Sequence, residues 1–337
     1  MLFPFAEYWP FYLGFSGFVL AMLALDLGVF QRGKEDVPSL RAALLRSALW
    51  VGLALLFNVG LYFYVDSTLS GGGPVTAAAT AQRVALEFLT GFLVEKALAV
   101  DNIFVFAVIF TYFGIARAHQ SRILFYGVAG ALVFRAVFIA LGAYLMAYEG
   151  IVWMFGGLLI FTGAKMIAAP PTNADLSKSI ITRVLRRVLP LHPGTPDGRF
   201  FVRENGRWLV TPMCVALLLV ELSDILFAID SIPAIFAITK EPWIVFTSNV
   251  FAILGLRSLS FLLAGAMGRF VYIHFGWAAV LVFVGVKMLW LNPLYGGKFP
   301  VLWSLGTITF LIGTSIAASF LATKRRAVDA PRRSSLR

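Results

Sequence analysis

Two short stretches hold the residues whose types could do chemistry. EKALAVDN (95–102) and ELSDILFAIDS (221–231) each set carboxylates inside an apolar run. Five acids lie there: Glu95, Asp101, Glu221, Asp224 and Asp230. Asn102 adds an amide and Ser231 a hydroxyl. All are hard oxygen donors, and thiolate and imidazole are absent from both stretches. Such a set suits manganese, calcium or magnesium rather than copper, zinc or iron–sulfur chemistry. The single cysteine, Cys214, excludes a disulfide framework and a cysteine zinc site. The three histidines (His119, His192, His274) are scattered. Neither stretch pairs Ser or Cys with His, so the sequence does not read as an enzyme; an aspartyl dyad is the one enzymatic alternative. No Gly-rich phosphate loop suggests an ATP drive.

The surroundings raise the stakes of these acids. Of 337 residues, 60% are hydrophobic and 13% charged, against about 45–50% and about 25% in an ordinary soluble domain. A chain of this kind is a polytopic membrane protein. An acid near the bilayer centre costs about 2.5–3.5 kcal/mol on insertion scales. These acids must therefore face a polar cavity, bind cations or hold protons. Static salt bridges to Lys96, Arg135 and Arg257 are the plainer alternative, with these bases as charge balance. Five acids against three bases leave carboxylates over. Glu95 and Asp101 are six residues apart, as are Asp224 and Asp230, and on a straight helix six residues turn about 240°. Breaks at Asp101-Asn102 and at Asp230–Pro233 would let each pair converge. Pro233 would free the carbonyl near Ile229.

The elements that must position the acids follow from the apolar runs. They predict an all-α fold of nine transmembrane helices: 9–30, 44–65, 84–112, 122–147, 150–169, 210–238, 243–266, 275–292 and 300–323. The first basic residue is Arg32, so the first span reads as a retained helix rather than a cleaved signal. With the N-terminus outside, 20 basic residues lie inside and three (Arg83, Lys240, Lys298) outside. That asymmetry predicts an inner-membrane protein with a cytoplasmic C-terminus. The +11 net charge is thus topology and attraction to anionic lipid heads, not a sign of nucleic acid.

The chain also repeats. LAVDNIFVFAVI (98–109) matches FAIDSIPAIFAI (227–238), pairing Asp101 with Asp230 and, at the same offset, Glu95 with Asp224. ALVFRAVFIALG (131–142) matches AILGLRSLSFLLAG (252–265), pairing Arg135 with Arg257, and GAKM (163–166) matches GVKM (285–288), pairing Lys165 with Lys287. Three spans per copy make a 3+3 inverted repeat, a common plan in transporters. Two helices (1–66) precede the first repeat (84–169). A basic linker (170–208), with an amphipathic segment at 177–189, joins it to the second repeat (210–292). A final helix (300–323) and a basic disordered tail (324–337) complete the chain. Inversion predicts that Glu95 and Asp224 meet at the midplane.

Other residues have plainer readings. Asp26 is a helix-end acid beside a basic loop, or an inner vestibule ligand. Glu221 aligns with Phe92 and is a second ligand or a proton site. Lys165 and Lys287 are read as snorkelling from span ends. Glu87 lies near the outer interface and needs no special role. Trp9, Tyr64, Tyr148, Trp243 and Trp290 fit an interfacial belt.

VEKALAVDNIFVFAVIF (94–110) and VELSDILFAIDSIPAIFAIT (220–239) resemble the two signature stretches of the TerC family. ALDLGVFQR (24–32) resembles its first-helix motif, and GAKM and GVKM fit as well. TerC-type proteins are integral membrane proteins named for tellurium resistance, and they include bacterial manganese exporters. The resemblance implies Mn²⁺ efflux, with Glu95, Asp101, Asp224 and Asp230 as the metal path. The expected function is a proton-coupled Mn²⁺ exporter. A Ca²⁺ transporter and a non-transporting scaffold in metal or tellurite stress are the alternatives. Expected partners are the divalent ion, protons and membrane lipids, with no nucleic acid and no permanently bound cofactor; nothing sets an oligomeric state.

Overall fold

A computed structural model describes residues 2–30, 40–68, 74–145, 148–168, 190–192, 198–204, 206–256, 259–260, 272–296 and 299–334. Inside its helices the side chains of 25–30, 40, 74–75, 100–101, 104, 230 and 323–334 fall outside the description. Asp26, Asp101 and Asp230 are therefore placed by backbone alone. Arg257 and the segment 177–189 lie outside the described residues.

The chain is all-helical apart from one hairpin among the described residues. Its helices are α1 (Phe5–Phe30), α2 (Leu40–Thr68), α3 (Pro74–Tyr112), α4 (Arg117–Leu145) and α5 (Glu149–Ala168), then α6 (Pro212–Phe236), α7 (Pro242–Leu254), α8 (Ile273–Val286) and α9 (Val301–Ser334). A π-helical turn, Lys287–Leu291, and a short turn, Asn292–Leu294, extend α8. Among the described residues, six helices are long and apolar enough to cross a bilayer by length and composition. The multi-pass membrane architecture thus stands on the described residues.

Proline opens three of these helices: Pro74, Pro212 and Pro242. The missing N–H costs nothing at a first position, and the fixed φ suits it. Thr211 caps α6, its hydroxyl accepting from Cys214 N at 3.4 Å and donating to the Arg199 carbonyl at 2.7 Å. The hairpin pairs β1 (Phe201–Glu204) with β2 (Arg207–Val210), antiparallel, and feeds directly into that cap. It lies where the sequence reading has a linker. Gly206 turns it at φ 77°, a value that favours glycine.

Several expectations about the helices change. α3 runs unbroken through Asp101-Asn102, and α6 runs through Asp230 and Pro233 to Phe236. Asn carries only a weak helix penalty, and in lipid a broken segment would leave backbone groups unsatisfied. Pro233 is one turn from the end of α6, so little helix remains beyond it to disrupt. The backbone stays helical to Ser334, where the sequence reading expects a disordered tail from 324. Trp243 is no belt residue: it is buried, with Tyr12 and Phe15 edge-on at 4.7 and 5.5 Å.

Packing selects specific partners. α5 lies closely on α8, α3 on α7 and α2, α4 on α6, and α8 on α9; α3 also meets α6, and α4 meets α7. The α5–α8 contact is backbone-close. A methyl group on Gly163 would lie 2.6 Å from the Ala278 carbonyl oxygen and 3.1 Å from Val282 N. One on Gly285 would lie 2.7 Å from the Gly156 carbonyl oxygen and 3.1 Å from Ile160 N. Only glycine fits at either place, which is how small residues let membrane helices approach.

Candidate functional site

The two acidic stretches meet where α3, α4, α6 and α7 converge. Glu95 on α3 is 0% exposed, and Asp224 on α6 is 6% exposed. Arg135 from α4 reaches between helices, and its guanidinium donates to Glu95 Oε1 and, at 2.9 Å, to Asn249 Oδ1 on α7. Asn102 Nδ2, two turns along α3 from Glu95, donates to Asp224 Oδ1 at 3.4 Å. The charges of Arg135 and Glu95 both act on Asp224, and that of Asp224 acts on Glu221. Glu95 and Asp224 therefore belong to one electrostatic cluster, spanned by Arg135 and Asn102.

The cluster is incompletely satisfied. Among the described residues, Glu95 Oε2, Asn102 Oδ1, Arg135 Nε, Asn249 Nδ2, Glu221 Oε2 and Ser231 Oγ are buried without a hydrogen-bond partner. Buried polar atoms are paired in the great majority of cases. So many orphans in one region mark a place built for something more than static packing. Glu221 sits one turn before Asp224, its carboxylate against Gly130, where a Cβ would collide with it.

The remaining candidates fall around this centre. Ser231 is buried on α6 just past Asp230. Lys96 points away from the acids: its Nζ donates to the Ala252 carbonyl at 3.2 Å, in the last turn of α7. A cation there complements the helix's C-terminal end. Among the described residues, no three His, Cys, Asp or Glu side chains gather in a metal-holding group. Arg135 stands at the carboxylate that such a group would use. A groove of about 600 Å³ between α1, α2 and α7 is lined by apolar side chains such as Phe11, Phe15, Phe57 and Trp243, with none of the acids in its wall. With Glu95, Asn102, Arg135 and Asp224 all buried, the conformation is closed around the cluster.

One participant, Asn249, escapes the sequence reading, and two neighbouring charged residues are read differently from their burial. Asn249 supports Arg135 from a helix with no acidic motif; its polar amide within PWIVFTSNVFAIL is the signal. Glu87 and Lys287 are also misjudged. Lys287 is 1% exposed and Glu87 5%, so neither reaches out to the interface. Lys165, the sequence counterpart of Lys287, is exposed.

Comparison with known proteins adds the following. Residues 80–327 match the model of the integral membrane protein TerC family. An uncharacterized membrane protein of Myxococcus xanthus, STKORF319, is 47% identical over 323 residues, covering 95% of each chain. Alx of Escherichia coli K12, named as a candidate membrane-bound redox modulator, is 43% identical over 296 residues, covering 88% of this chain and 89% of its own. An uncharacterized membrane protein of Rickettsia bellii is 39% identical over 277 residues, covering 81% and 86%. No solved structure matches the chain.

Proposed function

We propose a transport function for this chain, which belongs to the integral membrane protein TerC family: export of a divalent cation, Mn²⁺ first, in exchange for protons. The observation that carries it is the buried Glu95–Arg135–Asn249 and Asp224–Asn102 cluster with its orphaned oxygens. Ionisable groups inside a membrane usually mark an ion path. In the closed conformation Arg135 serves as a resident cation on Glu95. An entering divalent ion takes Glu95 and Asp224 as ligands, with Asn102 beside them and Asp101, Asp230 and Ser231 next along the two helices. Arg135 swings away from Glu95, and protons held on the α6 carboxylates, Asp224 and Glu221, leave. The same carboxylates then carry either cation or protons, which couples the two without a separate proton site.

We read the architecture as nine spans with two inverted three-helix repeats, α3–α5 and α6–α8, N-terminus outside in the inner membrane. Exchanging α3 with α6, α4 with α7 and α5 with α8 maps the α3–α7 contact onto α4–α6 and returns α5–α8, α3–α6 and α4–α7 to themselves. The glycine contacts support this at atomic scale. Gly163 against Ala278 and Val282 becomes, at the GAKM/GVKM offset, Gly285 against Gly156 and Ile160. Such reciprocity is what a two-fold axis between α5 and α8 would produce. Alx is named for redox modulation; this chain has one cysteine, buried on α6, so no thiol pair within it could do such chemistry.

The test is flux into liposomes under a proton gradient, comparing Mn²⁺, Ca²⁺, Mg²⁺ and Zn²⁺. Mn²⁺ should move and dissipate the gradient, with Zn²⁺ slower despite its higher affinity for most sites. Protein that is correctly inserted yet moves no divalent ion would leave the scaffold reading in place.

A further inference from the structure

The β1–β2 hairpin carries side chains that the cation cluster does not use. Cross-strand partners share one face of a hairpin, and the register pairs Arg203 with Trp208 and Phe201 with Val210. Phe201, Arg203 and Trp208 therefore project from one face, and Val202, Glu204, Arg207 and Leu209 from the other. Phe201 is 53% and Trp208 64% exposed, and Arg203 is exposed beside them. Single exposed apolar side chains are ordinary. Two large aromatics and an arginine on one face of so short a hairpin make a patterned surface.

The patch is held rigidly, and its depth follows from what holds it. Val210 is buried, and the next residue, Thr211, caps α6. The Thr211 hydroxyl donates to the carbonyls of Arg199 at 2.7 Å and Phe200 at 3.1 Å. Arg122, near the start of α4, donates to the Gly198 carbonyl at 3.2 Å and lies 5.4 Å from the centre of the Phe200 ring. Tyr126, one turn further on, meets the same ring edge-on at 5.4 Å. α4 has 29 residues and is about 43 Å long, against about 30 Å of hydrocarbon. With the excess shared between its ends, hydrocarbon begins about 7 Å into the helix. Arg122 lies about 8 Å and Tyr126 about 14 Å from the start of that helix. Phe200 therefore sits where hydrocarbon gives way to headgroups, and the patch begins at the next residue.

The chemistry of the patch matches that depth. Trp is enriched at membrane–water interfaces, its ring at the level of the headgroups. Arginine meets phosphate with a planar fork of donors. Among the described hairpin residues, Arg199, Arg203 and Arg207 stand against one acid, Glu204. We propose that the Phe201–Arg203–Trp208 face is a docking surface for anionic phospholipid of the bilayer that the chain spans. The two rings seat among the headgroups, and Arg203 takes a lipid phosphate. Arg122, Tyr126 and Thr211 tie the hairpin to α4 and α6, so the lipid grips the ends of the two helices that carry Arg135 and Asp224. This surface stands apart from the cation cluster and does not depend on what the chain transports.

The test reads the depth of that face in the full-length protein and needs no transported ion. In protein carrying Cys214→Ala, a nitroxide is attached at Phe201→Cys, in nanodiscs of phosphatidylcholine with or without phosphatidylglycerol. Collision of the nitroxide with oxygen, which concentrates in lipid, is compared with its collision with a neutral nickel chelate confined to water. With phosphatidylglycerol, oxygen collisions should dominate at Phe201→Cys, and nickel collisions at Glu204→Cys on the opposite face. Omitting phosphatidylglycerol, or adding Arg203→Gln, should each lower the oxygen-to-nickel ratio at Phe201→Cys about fivefold, the factor expected of one basic residue at an anionic surface. Arg203→Lys should keep the ratio, and Trp208→Ala should lower it in either lipid. If Phe201→Cys fails to insert, Trp208→Cys carries the nitroxide instead. Nickel collisions dominating on both faces in every lipid would place the patch in water. Few collisions with either reagent would mean that protein, such as a second copy of the chain, covers it. An oxygen-rich ratio indifferent to phosphatidylglycerol and to Arg203→Gln would leave an apolar anchor with no lipid preference. Each of these three results overturns the proposal.

Discussion

On α3, Glu95 lies wholly inside the protein with the Arg135 guanidinium against one oxygen. On α6, its counterpart Asp224 is held by a neutral amide, Asn102 Nδ2, at 3.4 Å. One turn earlier the contrast sharpens. α3 presents Phe92, parallel to Phe88 with ring centroids 6.4 Å apart, where α6 presents the Glu221 carboxylate with one oxygen unpartnered. The two helices share acids at the same spacing but not the same compensation. The α3 wall is charge-balanced; the α6 wall is acid-rich and short of donors. On the transport reading proposed above, a cation entering the closed cluster would meet Asp224 without breaking a hydrogen bond to a guanidinium, and would reach Glu95 only by replacing Arg135. The asymmetry gives an order of engagement that two identical walls could not.

The largest effect should come from removing both matched acids. Glu95→Gln/Asp224→Asn should reduce Mn²⁺ flux below detection, and each single change should lower it at least about 100-fold, on the order of 3 kcal/mol of lost stabilisation of the moving ion. Flux in liposomes, with insertion checked by protease protection, measures it. Near-normal transport by the inserted double variant would remove the central pair from the path.

Much of this comparison is legible in the sequence. The two acidic stretches, their common offset and the Phe92/Glu221 mismatch need no coordinates. Helix continuity is not legible in the same way. Asn102 and Pro233 look like breakers one residue at a time, but a lipid-embedded backbone has no water to pair with and stays helical around them. Lys287 is misread for a related reason. Its place near a span end suggests snorkelling, and only the fold shows the side chain turned inward and 1% exposed. The hairpin had a local signal, Asn205-Gly206 between Phe201–Glu204 and Arg207–Val210, a frequent hairpin turn. That signal is easily lost in a basic linker.

The next effect concerns stability. Arg135→Met leaves Glu95 buried without its cation, and should destabilise the protein by about 3–5 kcal/mol. Adding Glu95→Gln should recover much of that, because the uncompensated charge goes with it. Asp224→Asn should not rescue Arg135→Met to the same extent, since the guanidinium bonds Glu95 directly and acts on Asp224 only through its charge, Asp224's hydrogen bond being to Asn102. Thermal unfolding in detergent follows the three variants beside the wild type. Equal rescue by both acid substitutions would erase the distinction between the two walls.

The smallest effect tests the symmetry that makes the walls comparable at all. Gly163→Ala and Gly285→Ala each push a methyl group onto backbone, at 2.6 and 2.7 Å from carbonyl oxygens of the facing helix. Backbone cannot rotate aside as a side chain can, so α5 and α8 must separate slightly. Overpacking of this kind costs about 1–3 kcal/mol. If the two contacts are images of one another, the losses should agree to within about 0.5 kcal/mol, the scatter usual for independent sites. Gly130→Ala supplies the contrast. Its added methyl meets only the tip of Glu221, a flexible carboxylate that can swing away. It should cost less than either helix–helix glycine, and shift Mn²⁺ flux more than stability. Unequal losses at Gly163 and Gly285 would mean that the axis between α5 and α8 is a resemblance of sequence without equivalence of load. The contrast between α3 and α6 would then need no shared ancestor geometry to explain it.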